Sequence, residues 1–228
     1  MGMSGSMPDL FSKGCFRMKG LFISFEGIEG TGKTMQSKLL SEHLVKKGYS
    51  VILTEEPGGT RIGLRIRDVL LSIENRGITP VTELLLYNAS RAQHVEEVIL
   101  PSLTNGSIII TDRFTDSTVA YQGYGRGIDL QIIDSLERIA TEGVKPDITL
   151  LLDLDVEAGL LRNKGINKTD RLELEDVEFH KRVRNGYLRI AAKNPERIKL
   201  IDASESIEQI QGKIINIVTS CINSRKRV

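Results

Sequence analysis

Short apolar segments alternate with longer segments of helical periodicity from Leu21 to the end of the chain. The short segments are rich in β-branched residues, as strands buried on both faces of a sheet are; they comprise residues 21–26, 50–54, 107–111, 148–154 and 198–201. The longer segments predict helices over residues 33–47, 64–74, 80–103, 114–121, 130–142, 176–194 and 207–223. This alternation predicts an α/β fold with a five-stranded parallel sheet and helices on both faces.

Composition places the chain among ordinary globular proteins. Its 228 residues are 40% hydrophobic and 27% charged, which suits one α/β domain with a real core. The net charge of +1 gives no basic field for a nucleic acid, and no apolar run is long enough to span a membrane. Cys15 and Cys221 have neither metal-ligand spacing nor a disulfide pattern, so we expect a cytoplasmic protein.

The N-terminal segment, residues 1–17, differs from the rest because it has small residues at first and then no clean periodicity. It lacks the long apolar run of a secretory signal. We expect it to be a cloning-derived or mis-assigned start, with Met18 as the natural first residue, or a disordered native extension. Residues 18–228 are expected to form a single domain.

A glycine-rich segment joins the first predicted strand to the first predicted helix. Residues 27–34 match G-x-x-x-x-G-K-T, the phosphate-binding P-loop pattern. The glycines let backbone N–H groups point at phosphate oxygens, and the helix N-terminus favours an anion. Lys33 adds a cation for the β- and γ-phosphates, and Thr34 offers a hydroxyl to Mg²⁺. Because the strand and helix are in the required order, a ligand-free glycine turn is the weaker interpretation.

Basic and aromatic residues follow the second predicted strand. Arg61, Arg65 and Arg67 come after an E-P-G-G-T loop, and they form either a solvated helix face or a contact to a phosphate. Tyr87 and Arg91 are four residues apart and share one helix face. The ring would stack on a base while the guanidinium donates to a base carbonyl; core packing is the alternative.

Asp112 and Arg113 directly follow the third predicted strand, at the edge where parallel sheets bind ligands. The carboxylate suits Mg²⁺ and the guanidinium suits a phosphate; a structural ion pair is the alternative. Thr118, Tyr121 and Gln122 follow on a short predicted helix that leads into a glycine-rich loop.

A polar segment over residues 162–171 follows the fourth predicted strand. It predicts either a solvated loop or a lid that closes over phosphates, and its cations are Arg162, Lys164, Lys168 and Arg171. Residues 167–170 also match N-K-x-D, the guanine-reading motif of P-loop GTPases. We interpret that match as chance, because it lies well past the strand and no D-x-x-G follows the third strand.

Together these segments resemble the thymidylate kinase family, P-loop kinases that phosphorylate dTMP with ATP. The resemblance runs from about Lys19 to the C-terminus and rests on F-E-G-I-E-G-T-G-K-T, E-P-G-G-T, L-L-Y-N-A-S-R, D-R-F and A-Y-Q-G-Y-G-R-G. It implies a three-layer P-loop kinase fold with a short basic lid over about residues 162–175, and a homodimer. It further implies ATP and dTMP as substrates, Mg²⁺ accompanying ATP, and dTDP and ADP as products in dTTP synthesis; no nucleic-acid or membrane partner is expected.

The resemblance also implies roles for individual residues. The implied ATP-binding residues are Gly27, Ile28, Glu29, Gly30, Thr31, Gly32, Lys33, Thr34 and Arg162. The implied dTMP-binding residues are Glu29, Arg67, Tyr87, Arg91, Arg113, Thr118 and Gln122, with Glu29 facing the deoxyribose. Thr34 and Asp112 would lie near Mg²⁺, and the implied catalytic residues are Lys33, Arg113, Arg162 and Arg171.

Position 30 divides the family, because some members carry an arginine in the P-loop straight after the acidic residue. This chain has Gly30, so it resembles bacterial-type members that look to the lid for that cation. Lysine is a point charge without the forked contacts of arginine, and which lid residue takes the role stays open. Two alternatives to this function remain: a kinase for another monophosphate or a deoxynucleoside, and a non-catalytic nucleotide switch.

Overall fold

The structure, a computed structural model, describes residues 20–163 and 170–226, and only the backbone of Asn163 and Lys226. Within these residues, one sheet contains five parallel strands in the order β2-β3-β1-β4-β5. The strands are β1 (Leu21–Glu26), β2 (Val51–Glu55), β3 (Ile108–Asp112), β4 (Ile148–Asp153) and β5 (Ile198–Asp202). The predicted five-stranded parallel sheet is confirmed. The predictions for residues 1–17 and for Lys164 and Lys168 lie outside the described residues.

Helices connect the strands and follow the predicted order closely. They are α1 (Lys33–Lys46), α2 (Arg61–Leu71), α3 (Pro80–His94), α4 (Leu100–Thr104), α5 (Thr115–Thr118), α6 (Leu130–Thr141), α7 (Val156–Asn163), α8 (Val177–Lys193) and α9 (Ile207–Lys226). A π-helical turn over Val95–Ile99 joins α3 to α4, and a second over Val119–Gly125 continues α5. The prediction of one helix over residues 80–103 is therefore corrected to two α-helices around a π-turn.

Helices α2 and α7 also differ from the sequence prediction, and side-chain caps explain where they begin. Helix α2 begins at Arg61 rather than Leu64, because the Thr60 side chain accepts a hydrogen bond from Gly63 N at 2.9 Å and caps the helix. Helix α7 was not predicted, because its few apolar positions precede the polar segment directly. The Asp155 side chain begins it by accepting from the backbone N–H groups of Glu157 and Ala158 at 3.0 and 3.3 Å.

The core lies on both faces of the sheet, as the continuous apolar strands require. On one face, Ile23 and Phe25 of β1 pack in a cluster with Leu40 of α1 and Ile214 of α9. On the other face, Phe22 of β1 packs with the π-turn and α4, and a further cluster is built around α8. No described helix is long and apolar enough to cross a membrane.

The strand register brings the P-loop beside the residues that follow β3. Phe25 of β1 is paired with Asp112 of β3, so the two strands end side by side. Arg113 N then donates to Phe25 O at 2.9 Å, which extends the pairing by one bond past β3. The residues after β1 and β3 therefore meet at the carboxyl edge of the sheet.

Candidate functional site

The P-loop wraps around the ammonium group of Lys33. Lys33 Nζ donates to Ile28 O at 2.8 Å, and Thr31 Oγ1 donates to the same carbonyl oxygen at 2.9 Å. Burial, and after it the nearby Arg113 cation, lowers the pKa of Lys33 to about 8. Because burial and Arg113 destabilise the charged form of Lys33, a bound anion such as a phosphate would stabilise it strongly.

Thr34 and Asp112 meet at the mouth of the P-loop. The Thr34 hydroxyl donates to Asp112 Oδ2 at 2.6 Å. In residues 20–163 and 170–226, no group of three or more His, Cys, Asp or Glu side chains could hold a metal by itself. A hydroxyl with one carboxylate fits Mg²⁺ nonetheless, because that ion usually takes one or two carboxylates together with phosphates and water.

Arg113 lies between the P-loop and the adjoining helices. Its backbone has φ 72°, a left-handed conformation that is uncommon for a residue with a side chain. Its Nη1 donates to Gly27 O at 3.0 Å, and its Nη2 donates to Glu29 Oε1 at 3.1 Å. It also contacts the hydroxyls of Ser117, Tyr121 and Tyr187. These contacts fix the guanidinium beside the P-loop.

The Glu29 carboxylate is held by a set of buried groups. Tyr121 OH donates to Glu29 Oε1 at 2.5 Å, and His180 Nδ1 lies 3.4 Å from Oε2. Burial alone would raise the pKa of Glu29, but His180, Arg113, Lys33 and Tyr121 together hold that pKa well below its usual range. Glu29 is therefore a fixed anion at the edge of the P-loop.

Beside the P-loop lies a cavity that the predicted base-binding residues line. Its lining includes Tyr87, Arg91, Thr118, Gln122, Tyr121 and Leu172. Burial raises the pKa of Tyr87, so its hydroxyl stays neutral. Arg91 is almost wholly buried, and its Nη1 donates to Thr118 Oγ1 at 2.9 Å. Gln122 Nε2 donates to Glu83 Oε1 at 2.8 Å.

A second cavity opens over the P-loop itself, and it adjoins the first. Its lining includes Gly30, Gly32, Lys33, Thr34, Asp112 and Arg162. Glu29, Glu56, Arg67, Arg113 and Asp170 line both cavities. Arg67 Nη1 donates to Pro57 O at 2.7 Å and lies 3.3 Å from Glu55 Oε2, which holds it at this boundary. The two cavities therefore form one divided site, and basic and acidic residues lie where the cavities meet.

The two arginines of the predicted lid differ in position. Arg162, on α7, is exposed; its Nη1 donates to Ala203 O at 2.8 Å, and it lines the P-loop cavity. Arg171 is buried: its Nη2 lies 2.6 Å from Glu83 Oε2, and its Nε donates to Leu70 O at 3.0 Å. Arg171 is absent from the lining of both cavities. The structure thus brings Arg162, but not Arg171, to the P-loop.

The comparisons with known proteins bear on this divided site. A family model described as thymidylate kinase matches residues 25–214. The chain belongs to the thymidylate kinase family. It is 50% identical over 209 residues to the thymidylate kinase of Caldanaerobacter subterraneus subsp. tengcongensis, covering 92% of this chain and all of that protein. It is also 50% identical over 211 residues to that of Geotalea daltonii, covering 90% of this chain and 99% of that protein.

A solved structure agrees with the fold of this thymidylate kinase family member. The crystal structure of thymidylate kinase from Ehrlichia chaffeensis superposes with a TM-score of 0.72 at 40% sequence identity. The match covers 87% of this chain and 98% of that one. Fold and family therefore agree over nearly the same residues.

Two buried carboxylates of the candidate site, Glu26 and Glu83, were not found by the sequence analysis. Glu26, fully buried at the end of β1, accepts from Phe114 N at 2.8 Å and Ser117 Oγ at 2.6 Å, which fixes the backbone after Arg113. Burial raises the pKa of Glu26 to about 7, with Asp116 adding to the effect. Glu83 accepts a hydrogen bond from Gln122 and forms ion pairs with Arg126 and Arg171. Glu26 lies within the F-E-G motif, which was a usable signal; Glu83 lies in an ordinary helix and gave none.

Proposed function

We propose that the chain transfers the γ-phosphoryl group of MgATP to the 5′-phosphate of dTMP across the two adjoining cavities, giving dTDP and ADP. The activity itself, phosphorylation of dTMP to dTDP, follows from the family. The roles of individual residues, Mg²⁺ and the dimer are the proposal. The observation that carries it is that Glu29, Arg67 and Arg113 line both cavities, so donor and acceptor phosphates would meet there.

The donor lies in the cavity over the P-loop. Residues 27–34 bind the phosphates through backbone N–H groups, and Lys33 exchanges its contact with Ile28 O for phosphate oxygens. Thr34 and Asp112 would hold Mg²⁺, which would neutralise phosphate charge. Because the acceptor is already an anion, the protein aligns the reactants and neutralises charge rather than supplying a strong base.

The acceptor lies in the adjoining cavity. Tyr87 stacks on thymine, Arg91 contacts the base, and Thr118 and Gln122 lie along its edge. Glu29 faces the deoxyribose. Arg113 and Arg67 bind the 5′-phosphate, and Arg113 is oriented for this by its contacts to Gly27 O and Glu29. Arginine suits this task because its planar fork matches phosphate oxygens.

The chain is of the bacterial type without a P-loop arginine, and Arg162 supplies the missing cation. Gly30 has φ 74°, and a Cβ there would lie 2.1 Å from Gly159 O of α7, so the loop has no room for a side chain. Arg162, three residues further along α7, lines the same cavity as Lys33. Arg171 is paired with Glu83 instead; its proposed part is to fix the wall of the acceptor cavity.

The chain forms a homodimer through three neighbouring helices. Helix α3 packs between α2 and α6. Each presents large exposed apolar side chains, namely Ile62, Val69, Val81, Leu85, Ile132 and Ile139. Exposed apolar side chains on three helices that pack together favour a protein contact, and a second copy would cover them with an identical surface.

An acceptor panel tests the proposed reaction. ADP release would be measured with ATP, Mg²⁺ and each of dTMP, dUMP, dCMP, dGMP, AMP and thymidine. We expect dTMP to give the highest kcat/KM, with dUMP lower by roughly 10- to 200-fold because it lacks one methyl group. Preference for another acceptor would overturn the assignment, and tight GTP binding without transfer to dTMP would support a nucleotide switch.

A further inference from the structure

Arg91 is linked to Thr54 of β2 by a chain of largely buried hydrogen bonds. Arg91 Nε donates to Glu56 Oε2 at 2.8 Å, and the other oxygen, Oε1, lies 2.9 Å from His94 Nδ1. The far nitrogen of that ring, Nε2, lies 2.8 Å from Thr54 Oγ1. Glu56, Arg91 and His94 are all buried. We call this set the Thr54–His94–Glu56 chain.

The proton positions in the chain follow from its charges. Glu56 pairs with Arg91, so its carboxylate only accepts hydrogen bonds, and His94 Nδ1 must carry a proton and donate. In the neutral ring, Nε2 then accepts from the Thr54 hydroxyl. The two hydrogen bonds therefore run in one direction: the Thr54 hydroxyl donates to His94, and His94 donates to Glu56.

The backbone around the chain leaves its members little freedom. A Cβ at Gly59 would lie 2.4 Å from His94 Cδ2 and 2.9 Å from Thr54 Oγ1, so the E-P-G-G-T loop packs directly on the ring. On the other side, Arg91 Nη1 donates to Thr118 Oγ1 at 2.9 Å and Nη2 to Phe114 O at 3.2 Å. Glu137 Oε1 lies 3.8 Å from Nη1. Glu56 thus fixes the Nε edge of the guanidinium, while Thr118 and Phe114 fix its Nη edge.

The geometry points to His94 as a positioning residue for thymine recognition: through Glu56, and supported by Thr54, it fixes the guanidinium plane of Arg91 in the acceptor cavity. This rests on the proposed role of Arg91 at the base. His94 itself lines neither cavity. Without it, Glu56 Oε1 loses its partner in a buried place, and the carboxylate turns to find another. The Nε edge of Arg91 then loses its support, and its hydrogen bond to the base weakens.

The test is the steady-state kinetics of His94→Leu, His94→Asn and Thr54→Val in the full chain. For His94→Leu we expect the KM for dTMP to rise about tenfold, as loss of one charge-assisted hydrogen bond implies. The kcat and the KM for ATP should stay within about twofold. The preference for dTMP over dCMP in kcat/KM should fall, because cytosine replaces the O4 carbonyl with an amino group.

The conservative variants separate positioning from folding. In His94→Asn the side-chain amide occupies the place of Nδ1 and still donates to Glu56, so most of the dTMP affinity should return. Thr54→Val keeps the side-chain shape and removes only the far hydroxyl, so a smaller rise in KM is expected even if His94→Leu does not fold. Leu103→Ala, in the buried apolar cluster of Phe22 and Ile99, removes core packing without touching these hydrogen bonds and controls for lost stability.

Four results would overturn the inference. These are an unchanged KM for dTMP in His94→Leu and Thr54→Val, a parallel rise in the KM for ATP, the same kinetic change in Leu103→Ala, and a loss in His94→Asn as large as in His94→Leu. Arg91→Ala separates this inference from the proposed function. If Arg91→Ala leaves dTMP kinetics unchanged, the base contact itself is wrong; if it raises the KM while the His94 and Thr54 variants do not, only the positioning role is wrong.

Discussion

Arg171 and Glu83 form a buried ion pair, with 2.6 Å between Nη2 and Oε2 and with side chains only 4% and 1% exposed. Glu83 also pairs with Arg126 at 3.1 Å and accepts from Gln122. One carboxylate on α3 thus joins two cations and an amide from segments far apart in the chain.

The first prediction concerns stability. Glu83→Gln should lower the free energy of unfolding by about 3–5 kcal/mol, because it leaves Arg171 in a buried place without its counter-ion. Urea denaturation measures this. The matched control is Glu175→Gln, which removes the other carboxylate on Arg126 at a side chain that is 28% exposed; it should cost about 1 kcal/mol or less. Equal losses in the two variants would contradict the central role of Glu83.

The second prediction separates the two lid arginines. Arg162→Gln should lower kcat by roughly 10³-fold, by analogy with arginine fingers, and leave the unfolding free energy almost unchanged. Arg171→Gln should mainly lower stability, because it removes a partner of Glu83 rather than a group of the P-loop cavity. Single-turnover rates and urea denaturation on both variants give the comparison. A larger loss of kcat in Arg171→Gln at full stability would reverse the assignment.

The third prediction is a pH dependence of ATP binding. In the protein without ATP, burial is the main cause that lowers the pKa of Lys33 to about 8. Lys33 therefore loses its proton as the pH rises through about 8. Phosphates favour the protonated form and raise that pKa. ATP binding should therefore take up a proton near pH 8.5, and affinity should fall above pH 8; calorimetry in buffers of different ionisation enthalpy measures the uptake. Lys33→Arg, charged throughout this range, should show no uptake. Equal uptake in both proteins would show that a group other than Lys33 takes up the proton.

The fourth prediction concerns the fork of Arg113. Arg113→Lys keeps the charge but cannot reach Gly27 O, Glu29 and a phosphate together. We expect a fall of kcat by roughly 10²- to 10³-fold with thermal stability little changed. Arg184→Lys, at the Asp153 ion pair outside both cavities, is the control and should keep wild-type turnover. A fully active Arg113→Lys protein would show that turnover needs only the charge of Arg113 and not its forked contacts.

The fifth prediction tests the dimer surface. Leu85→Glu on α3 puts a charge among these exposed apolar side chains, at a side chain that is 49% exposed. Light scattering after size exclusion should show a dimer for the wild type and a monomer for this variant. Val45→Glu, 54% exposed on α1, changes an equally exposed apolar residue elsewhere and should remain dimeric.

The sequence predicted the sheet well because buried parallel strands leave a local signal. Each predicted strand lies within a residue of the observed one at either end. The P-loop and the residues after β3 were likewise found from local motifs. Helix α7 was missed because it is short and runs into a polar segment, so it shows too few apolar repeats for a periodicity.

The hydrogen-bond and ion-pair partners of these side chains could not be predicted from the sequence, for a different reason. Arg91 was expected either to contact a base or to pack in the core. The structure shows that it lines the cavity beside the P-loop and is paired with Glu56, 35 residues away in the chain; its contact with a base stays a prediction. Glu83 and Arg171 come from α3 and from the segment before α8. Such pairs depend on how helices pack, and no local pattern encodes them.

The contact between Gly30 and Gly159 has a consequence for how this kinase can be altered. Backbone meets backbone there, and a Cβ on Gly159 would lie 2.6 Å from Glu29 O. An arginine introduced at position 30 would therefore force α7 away and displace Arg162, which we propose supplies the cation of a P-loop arginine in this chain. The two ways of supplying that cation exclude one another in this chain, so a change from one to the other requires compensating replacements in α7 at the same time.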